Sequence, residues 1–278
     1  MNAALAPLAH RAKQVVRATF PRPAVMWLER EYYRRTGEAE LPLVDALCDP
    51  RRDALDIGSN EGCYLHFMRG NARHVHAFEP VPWLAANLAM KFGTEVTVHP
   101  VALSAEAGEA ELHVPLVDGR LETGLSTLAD PRSLDGYEQK TITVQLRRLD
   151  DAYVGQAGLI KIDVEGHEEA VLAGAHATII RCRPNLVVEI EERHAPGAIG
   201  RITGMLKSLG YDGFFLDHGQ LAGIERFDAA TMQREQDIAG FVAGTTRRSF
   251  PDYINNFMFV PSEQAPAIRA KLVARLGH

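Results

Sequence analysis

From residue 53 onward, short apolar runs alternate with stretches of helical period. Residues 54–57 read as a brief buried strand ending in glycine, and residues 74–78 as a second ending at Glu79-Pro80. Between them residues 62–70 suit a helix, and residues 83–91 suit another that closes near Gly93. A third strand starts at Val96 and is expected to run towards Leu103. Residues 159–164 form a fourth strand, followed by an amphipathic helical stretch over 168–181. Residues 185–190 form a fifth, followed by a helix over 198–209. Strand alternating with helix at this spacing predicts an α/β fold: a mostly parallel, Rossmann-like sheet covered on both faces.

Two regions depart from that rhythm. Residues 109–117 and 141–149 alternate only partially and predict a hairpin-like extension between the third and fourth core strands. Residues 211–216, a turn at Asp217-His218-Gly219, and residues 256–260 supply late strands with no crossover between them, so an antiparallel end to the sheet is expected. Residues 1–50 read as a helical extension broken by Pro21 and Pro23, 51–262 as the main domain, and 263–278 as a C-terminal helix. The stretch from about 225 to 252 is expected to be a mobile or substrate-covering insertion.

Composition narrows the classes of function. A formal net charge of -6 opposes a general electrostatic grip on nucleic acid. The first 35 residues are locally basic, through Arg11, Lys13, Arg17, Arg22, Arg30, Arg34 and Arg35. Membrane contact by this leader is one reading; a solvated helix is the commoner one. The 3 cysteines are far apart and suggest neither a disulfide framework nor a zinc site. With neither a secretory pattern nor a spanning apolar run, a cytoplasmic setting is the expectation.

The chemistry concentrates at strand ends. The first strand leads into Asp56-Ile57-Gly58-Ser59-Asn60-Glu61-Gly62, whose glycines let the backbone pass close to a ligand at a helix N-terminus. The spacing Gly-x-x-x-Gly departs from the three-glycine dinucleotide fingerprint, which weakens the rival reading of a nicotinamide-dependent oxidoreductase. Glu79 ends the second strand, where an acid accepts hydrogen bonds from both hydroxyls of a ribose. Together with Pro80 and Ala102, these residues form the expected cofactor set: Asp56, Gly58, Ser59, Asn60, Gly62, Glu79, Pro80, Ala102 and Asp163. Ser126, in the extension, is expected to be a loop serine bonded to backbone.

The fourth strand ends in Lys161-Ile162-Asp163-Val164-Glu165-Gly166-His167-Glu168. Strand alternation would put Lys161, Asp163 and Glu165 on one side, facing a cleft at the carboxyl ends of the strands. His167 is the preferred general base, because an imidazole accepts a proton near neutrality. Asp163 would orient it or hold the cofactor, and Glu189 and His194 are further catalytic candidates on the same rim. A divalent ion among Asp163, His167, Glu189 and His194 is left open but not expected, since no tight ligand motif supports it.

The loop 56–62, the Phe78-Glu79-Pro80 triplet, the Arg148-Leu149-Asp150-Asp151 stretch and above all residues 161–168 resemble the FkbM family of methyltransferases. The resemblance covers about residues 53–195, with a weaker echo at 255–261. It implies a class I methyltransferase sheet of seven strands with an antiparallel final strand. It also implies S-adenosylmethionine as cofactor and O-methylation of a hydroxyl on a sugar, glycolipid or polyketide-like product. A cofactor-binding protein without turnover is the remaining alternative. The expected partner is a small-molecule or glycan acceptor and not nucleic acid; a homodimer stays open.

Overall fold

The computed structural model describes residues 20–117, 120–128, 136–238 and 250–277. The start of the basic leader (Arg11, Lys13 and Arg17) and part of the 225–252 stretch lie outside the described residues.

The first described helix, α1 (Arg22–Thr36), begins rather than breaks at its prolines, with Pro23 in the first turn. The missing amide of proline costs nothing there, and its fixed φ suits helix entry. After single turns at Leu41–Leu43 and Val44–Leu47 come β1 (Asp53–Ile57), α2 (Leu65–Met68), β2 (Val75–Phe78), α3 (Pro82–Phe92), β3 (Val96–His99) and β4 (Ala102–Leu103). Then follow β5 (Gly108–Val117), β6 (Arg120–Leu121), β7 (Glu138–Arg147) and β8 (Ala157–Ile162). The chain continues through α4 (Glu168–Gly174), α5 (His176–Cys182), β9 (Asn185–Glu189), α6 (Ala198–Ser208), β10 (Tyr211–Asp217) and β11 (Gln220–Gly223). It ends with β12 (Asn256–Pro261) and α7 (Ala265–Leu276).

Eight strands form the main sheet in the order β11-β10-β12-β9-β8-β1-β2-β3. The core strands β9, β8, β1, β2 and β3 pair in parallel, and β12 runs antiparallel to both β9 and β10. This is the class I methyltransferase arrangement, with one strand more than the seven expected. The addition is β11, folded back on β10 through a two-residue turn in which His218 (φ 47) and Gly219 (φ 78) are both left-handed. Two positive φ values in succession match the twist of a tight hairpin, and glycine supplies one without strain.

Both faces are covered, which is why β1 and β8 are buried along their whole length. One face packs Leu55, Ile57, Ile160, Ile162, Leu186 and Val188 against Val171, Leu172, Ile179, Ile202 and Leu206 of α4–α6. The other packs Ala54, Val75, Leu159, Val187 and Met258 against Met26, Leu41, Leu43, Leu47, Leu65, Leu88 and Leu272. The described part of the expected N-terminal extension, residues 20–50, therefore supplies one wall of the core.

Four local expectations change. The third strand stops at His99, because Pro100 cannot donate to a ladder, and residues 102–103 join a second sheet. The helix expected over 62–70 contracts to Leu65–Met68, since Gly62 at φ 81 belongs to the preceding turn. The 168–181 stretch divides at Ala175 into α4 and α5. The expected hairpin extension is present as β5–β7, paired over Gly108–Leu116 and Leu146–Glu138, but it sits in a four-stranded sheet of order β4-β7-β5-β6. That small sheet stands over the carboxyl ends of β1 and β2.

Candidate functional site

At the carboxyl ends of β1, β2 and β8 lies a cleft of about 650 Å³, counting the space at its open mouth. Its floor is the turn after β1. Gly58 has φ 79, and a Cβ there would lie 1.8 Å from the Asp163 carbonyl oxygen, so no side chain is tolerated. The two turns are stitched together by Asp163 N–H donating to the Ile57 carbonyl at 3.0 Å. Asn60 also has a left-handed backbone (φ 46), and its amide donates to Glu79 Oε2 at 2.7 Å. Strain of this kind at a cleft is held by its surroundings and is characteristic of binding loops.

Glu79 is buried and borders the cleft. Its Oε1 accepts from Val81 N–H at 2.9 Å, so each oxygen takes one backbone amide and keeps a lone pair for a ligand. Burial pushes its carboxyl up to about 7, against the pull of those two amides. Pro80, Val81, Val101, Ala102 and Leu103 make an apolar wall, and Leu112, Thr123, Gly124, Ser126 and Leu128 of the second sheet and its loop close the opposite side. Thr123 Oγ1 donates to Asn60 Oδ1 at 3.1 Å, and Thr127 Oγ1 to the Glu165 carbonyl at 2.8 Å, tying that sheet to the cleft floor.

Of the expected cofactor set, Gly58, Asn60, Glu79, Pro80, Ala102 and Asp163 line the cleft. Asp56, Ser59 and Gly62 stand behind it. Ser59 turns its hydroxyl back to the Asp56 carbonyl at 2.9 Å. Gly62 is hemmed in by Leu88 and Phe92, where a Cβ would meet side-chain atoms at 2.8 Å. Asp56 is buried, and burial pushes its carboxyl up to about 7, with Lys161 opposing. Ser126 donates to the Thr123 carbonyl at 2.9 Å, as a loop serine should, and also borders the cleft.

The catalytic candidates separate more sharply. Asp163 lines the cleft; His167, Glu189 and His194 are not among the described residues that do. His167 precedes α4 and places Nε2 2.9 Å from Ser104 Oγ, while burial lowers its basicity. Glu189 and Asp163 flank Lys161, whose Nζ lies 3.8 Å from Glu189 Oε2 and 3.4 Å from Asp163 Oδ2. Lys161 is wholly buried, over the Tyr64 ring at 4.8 Å. Burial alone would favour its neutral form, but Asp163, Glu38, Glu189 and Asp56 overcome it and hold the ammonium above the ordinary lysine value. Asp163 is raised by burial, again with Lys161 opposing.

Lys161 does not share the cleft with Asp163 and Glu165 as alternation predicts. The strand ends at Ile162, and the period of two ends with it: Asp163 and Glu165 lie in a turn, where Glu165 has φ 48. Glu165 borders the cleft on this account. Its neighbour is His194, with Nε2 3.0 Å from Glu165 Oε2. Residues beyond the sequence's site candidates also converge here. Tyr64 donates to Glu38, Asn256 Nδ2 to the same Glu38 carboxylate at 3.1 Å, and Asn255 to Glu189. Glu38 lies in a loop with no motif, and nothing local marks it.

The profile of the Methyltransferase FkbM domain matches residues 56–212, and the chain belongs to this family. Among its relatives, a "2-O-methyltransferase NoeI" of Sinorhizobium fredii is 33% identical over 51% of this chain and 64% of its own length. A "31-O-demethyl-FK506 methyltransferase FkbM" of Streptomyces tacrolimicus is 28% identical over 56% of this chain and 71% of its own. A solved methyltransferase FkbM from Methylobacillus flagellatus aligns with 83% of this chain and 50% of its own, at 16% identity and a TM-score of 0.48. Among the described residues no helix is long and apolar enough to cross a membrane.

Proposed function

We propose that the chain is an S-adenosylmethionine-dependent methyltransferase acting on a hydroxyl oxygen of a small molecule or glycan. The observation that carries this reading is Glu79: a buried carboxylate in a cleft, each oxygen pinned by one backbone amide, beside a glycine turn that admits no side chain. Such a carboxylate suits a ribose diol and repels a 2′-phosphate. Pro80, Val81, Val101 and Ala102 offer apolar contact for the adenine. When bound, the cofactor supplies a methyl carbon on a positively charged sulfur.

The protein's own task is then to align an oxygen, exclude water and accept a proton. Asp163 suits proton acceptance at Oδ better than His167, since it lines the cleft and burial raises its carboxyl above the ordinary value. His167 is committed to Ser104 outside the cleft lining. Support for an oxygen acceptor comes from the names of the two relatives, a 2-O-methyltransferase and a 31-O-demethyl-FK506 methyltransferase; a sugar or polyketide-like acceptor is the corresponding choice.

Calorimetry with S-adenosylmethionine and S-adenosylhomocysteine tests the reading. Wild type should bind both, and Glu79→Ala should weaken binding by at least about tenfold, the loss of one to two hydrogen bonds to a charged group. No binding by wild type, or equal binding by the variant, would refute it.

A further inference from the structure

The first described helix, α1, is anchored along one side. Val25 and Met26 enter the core, Tyr33 packs beside them, and Glu29 meets His66 at 3.3 Å and Lys91 at 3.0 Å. A helix held in this way ordinarily turns polar side chains to solvent. Here Phe20, just before the helix, and Trp27, Leu28 and Tyr32 within it are 50%, 63%, 39% and 48% exposed. Met90 of α3, 77% exposed, comes one residue before Lys91, whose carbonyl accepts from Arg22 Nε at 3.2 Å. Five of the nine large hydrophobic side chains exposed among the described residues are thus gathered on α1 and its neighbour. Scattered singly they would need no explanation; gathered, they mark a surface that meets something apolar.

Cations frame the patch. Arg30, Arg34 and Arg35 are exposed on the same helix. The one acid among them, Glu31, is already held by Arg34 at 2.6 Å and Arg35 at 2.8 Å. The residues that precede Phe20 add Arg11, Lys13 and Arg17 and no acid. Residues 1–35 therefore carry seven Lys or Arg against two acids, in a chain whose net charge is -6. Positive charge is concentrated where the exposed apolar side chains are.

Shape and charge together select the partner. The apolar side chains stand on a helix ridge, and a fluid lipid layer closes around a ridge without a preformed groove. Tryptophan and tyrosine suit the boundary between hydrocarbon and headgroup, and arginine reaches from there to phosphate. A second copy of this chain would bring the same surplus of arginine to the same face and meet repulsion.

We propose that α1 lies on an anionic lipid surface, with Phe20, Trp27 and Leu28 entering the headgroup boundary and Arg30, Arg34 and Arg35 meeting lipid phosphates. The contact is peripheral and reversible, as a short apolar stripe with a basic flank provides. It does not depend on the methyl-transfer reading.

The test is sedimentation of the full chain with vesicles of phosphatidylglycerol and phosphatidylcholine, against vesicles of phosphatidylcholine alone. Wild type should bind the mixed vesicles and be released by salt, which screens the arginines. Trp27→Ser should weaken binding at least about fivefold, the loss of one aromatic side chain taken out of water. Arg34→Glu combined with Arg35→Glu should weaken it at least about tenfold. Val154→Ser is the control, because Val154 is 87% exposed and follows Tyr153 on the other face of the sheet. Should Trp27→Ser lower the unfolding temperature, Leu28→Ser carries the test, with a loss of at least about threefold. Emission gives a second readout: the chain holds 2 tryptophans, so Trp83→Phe leaves Trp27 alone, and its emission should move to shorter wavelength on mixed vesicles. No binding to mixed vesicles overturns the proposal, as does equal binding to both kinds of vesicle or an unshifted Trp27 emission. Unchanged binding in the Trp27 and arginine variants, or an equal loss in Val154→Ser, does the same. Self-association that Trp27→Ser abolishes, without vesicle binding, would assign the face to a second copy and overturn it too. Failure of cofactor binding refutes the methyl-transfer reading and leaves the vesicle result standing.

Discussion

The two halves of the cleft are built on different principles. Around β1 and β2 the ligand surface is mostly backbone: the Gly58 turn, the Asn60 and Val81 amides and a single carboxylate. Around β8 and β9 the lining is Asp163, Val164 and Glu165, backed by side chains that stand outside the cleft: Lys161 between Asp163 and Glu189, and His194 against Glu165. Backbone positions are set by local turn geometry and tolerate little variation. Side-chain clusters depend on segments distant in the chain and can be re-specified without disturbing the turn. On the proposed reading the first half would take the cofactor and the second would meet the acceptor.

The largest expected effect tests the second half. Lys161→Met removes a fully buried cation from between two carboxylates. It should cost about 3–5 kcal/mol in chemical denaturation, the usual penalty for breaking a buried ion pair from one side. A loss below about 1 kcal/mol would mean that Asp163 and Glu189 simply take up protons, and that the ammonium does not organise this half.

In the first half, Gly58→Ala adds a Cβ 1.8 Å from the Asp163 carbonyl oxygen at a positive φ. We expect about 2–4 kcal/mol of destabilisation, combining steric and backbone strain. A Gly58→Ala protein as stable as wild type would show that the β1 and β8 turns are not pressed together.

Acidity provides a gentler probe. Burial raises Glu79 to about 7, and only its carboxylate form accepts two hydroxyl protons. Ligand affinity should therefore be fully present above that value and fall as pH drops through it. Between pH 8 and pH 6 the ionised fraction changes about tenfold, so calorimetry should show S-adenosylhomocysteine binding about tenfold weaker at pH 6. Glu79→Gln should flatten the dependence; a slope that survives in that variant assigns it to another group.

The smallest effect concerns Ser59, which sits in the glycine loop but turns away from the cleft. Ser59→Ala should leave cofactor affinity within about twofold while lowering stability by about 1 kcal/mol, the net worth of its buried bond to the Asp56 carbonyl. A large change in affinity would restore Ser59 to the binding surface.

What the sequence determined by itself is whatever rests on local pattern. Buried parallel strands read as unbroken apolar runs, and a glycine at a positive φ or an acid at a strand end leaves a mark within a few residues; hence the sheet, Gly58, Asn60, Glu79 and Asp163 were legible. Tertiary structure alone decided which way side chains face once a strand has ended, and which distant segments meet there. Lys161 and Glu165 are four residues apart, yet the strand's end at Ile162 sends one into the core and the other to the cleft. Glu38, Asn256 and the small sheet over the cleft reach the site across long stretches of chain. Such pairings depend on packing energy summed over the whole core, and no short window of sequence contains that sum.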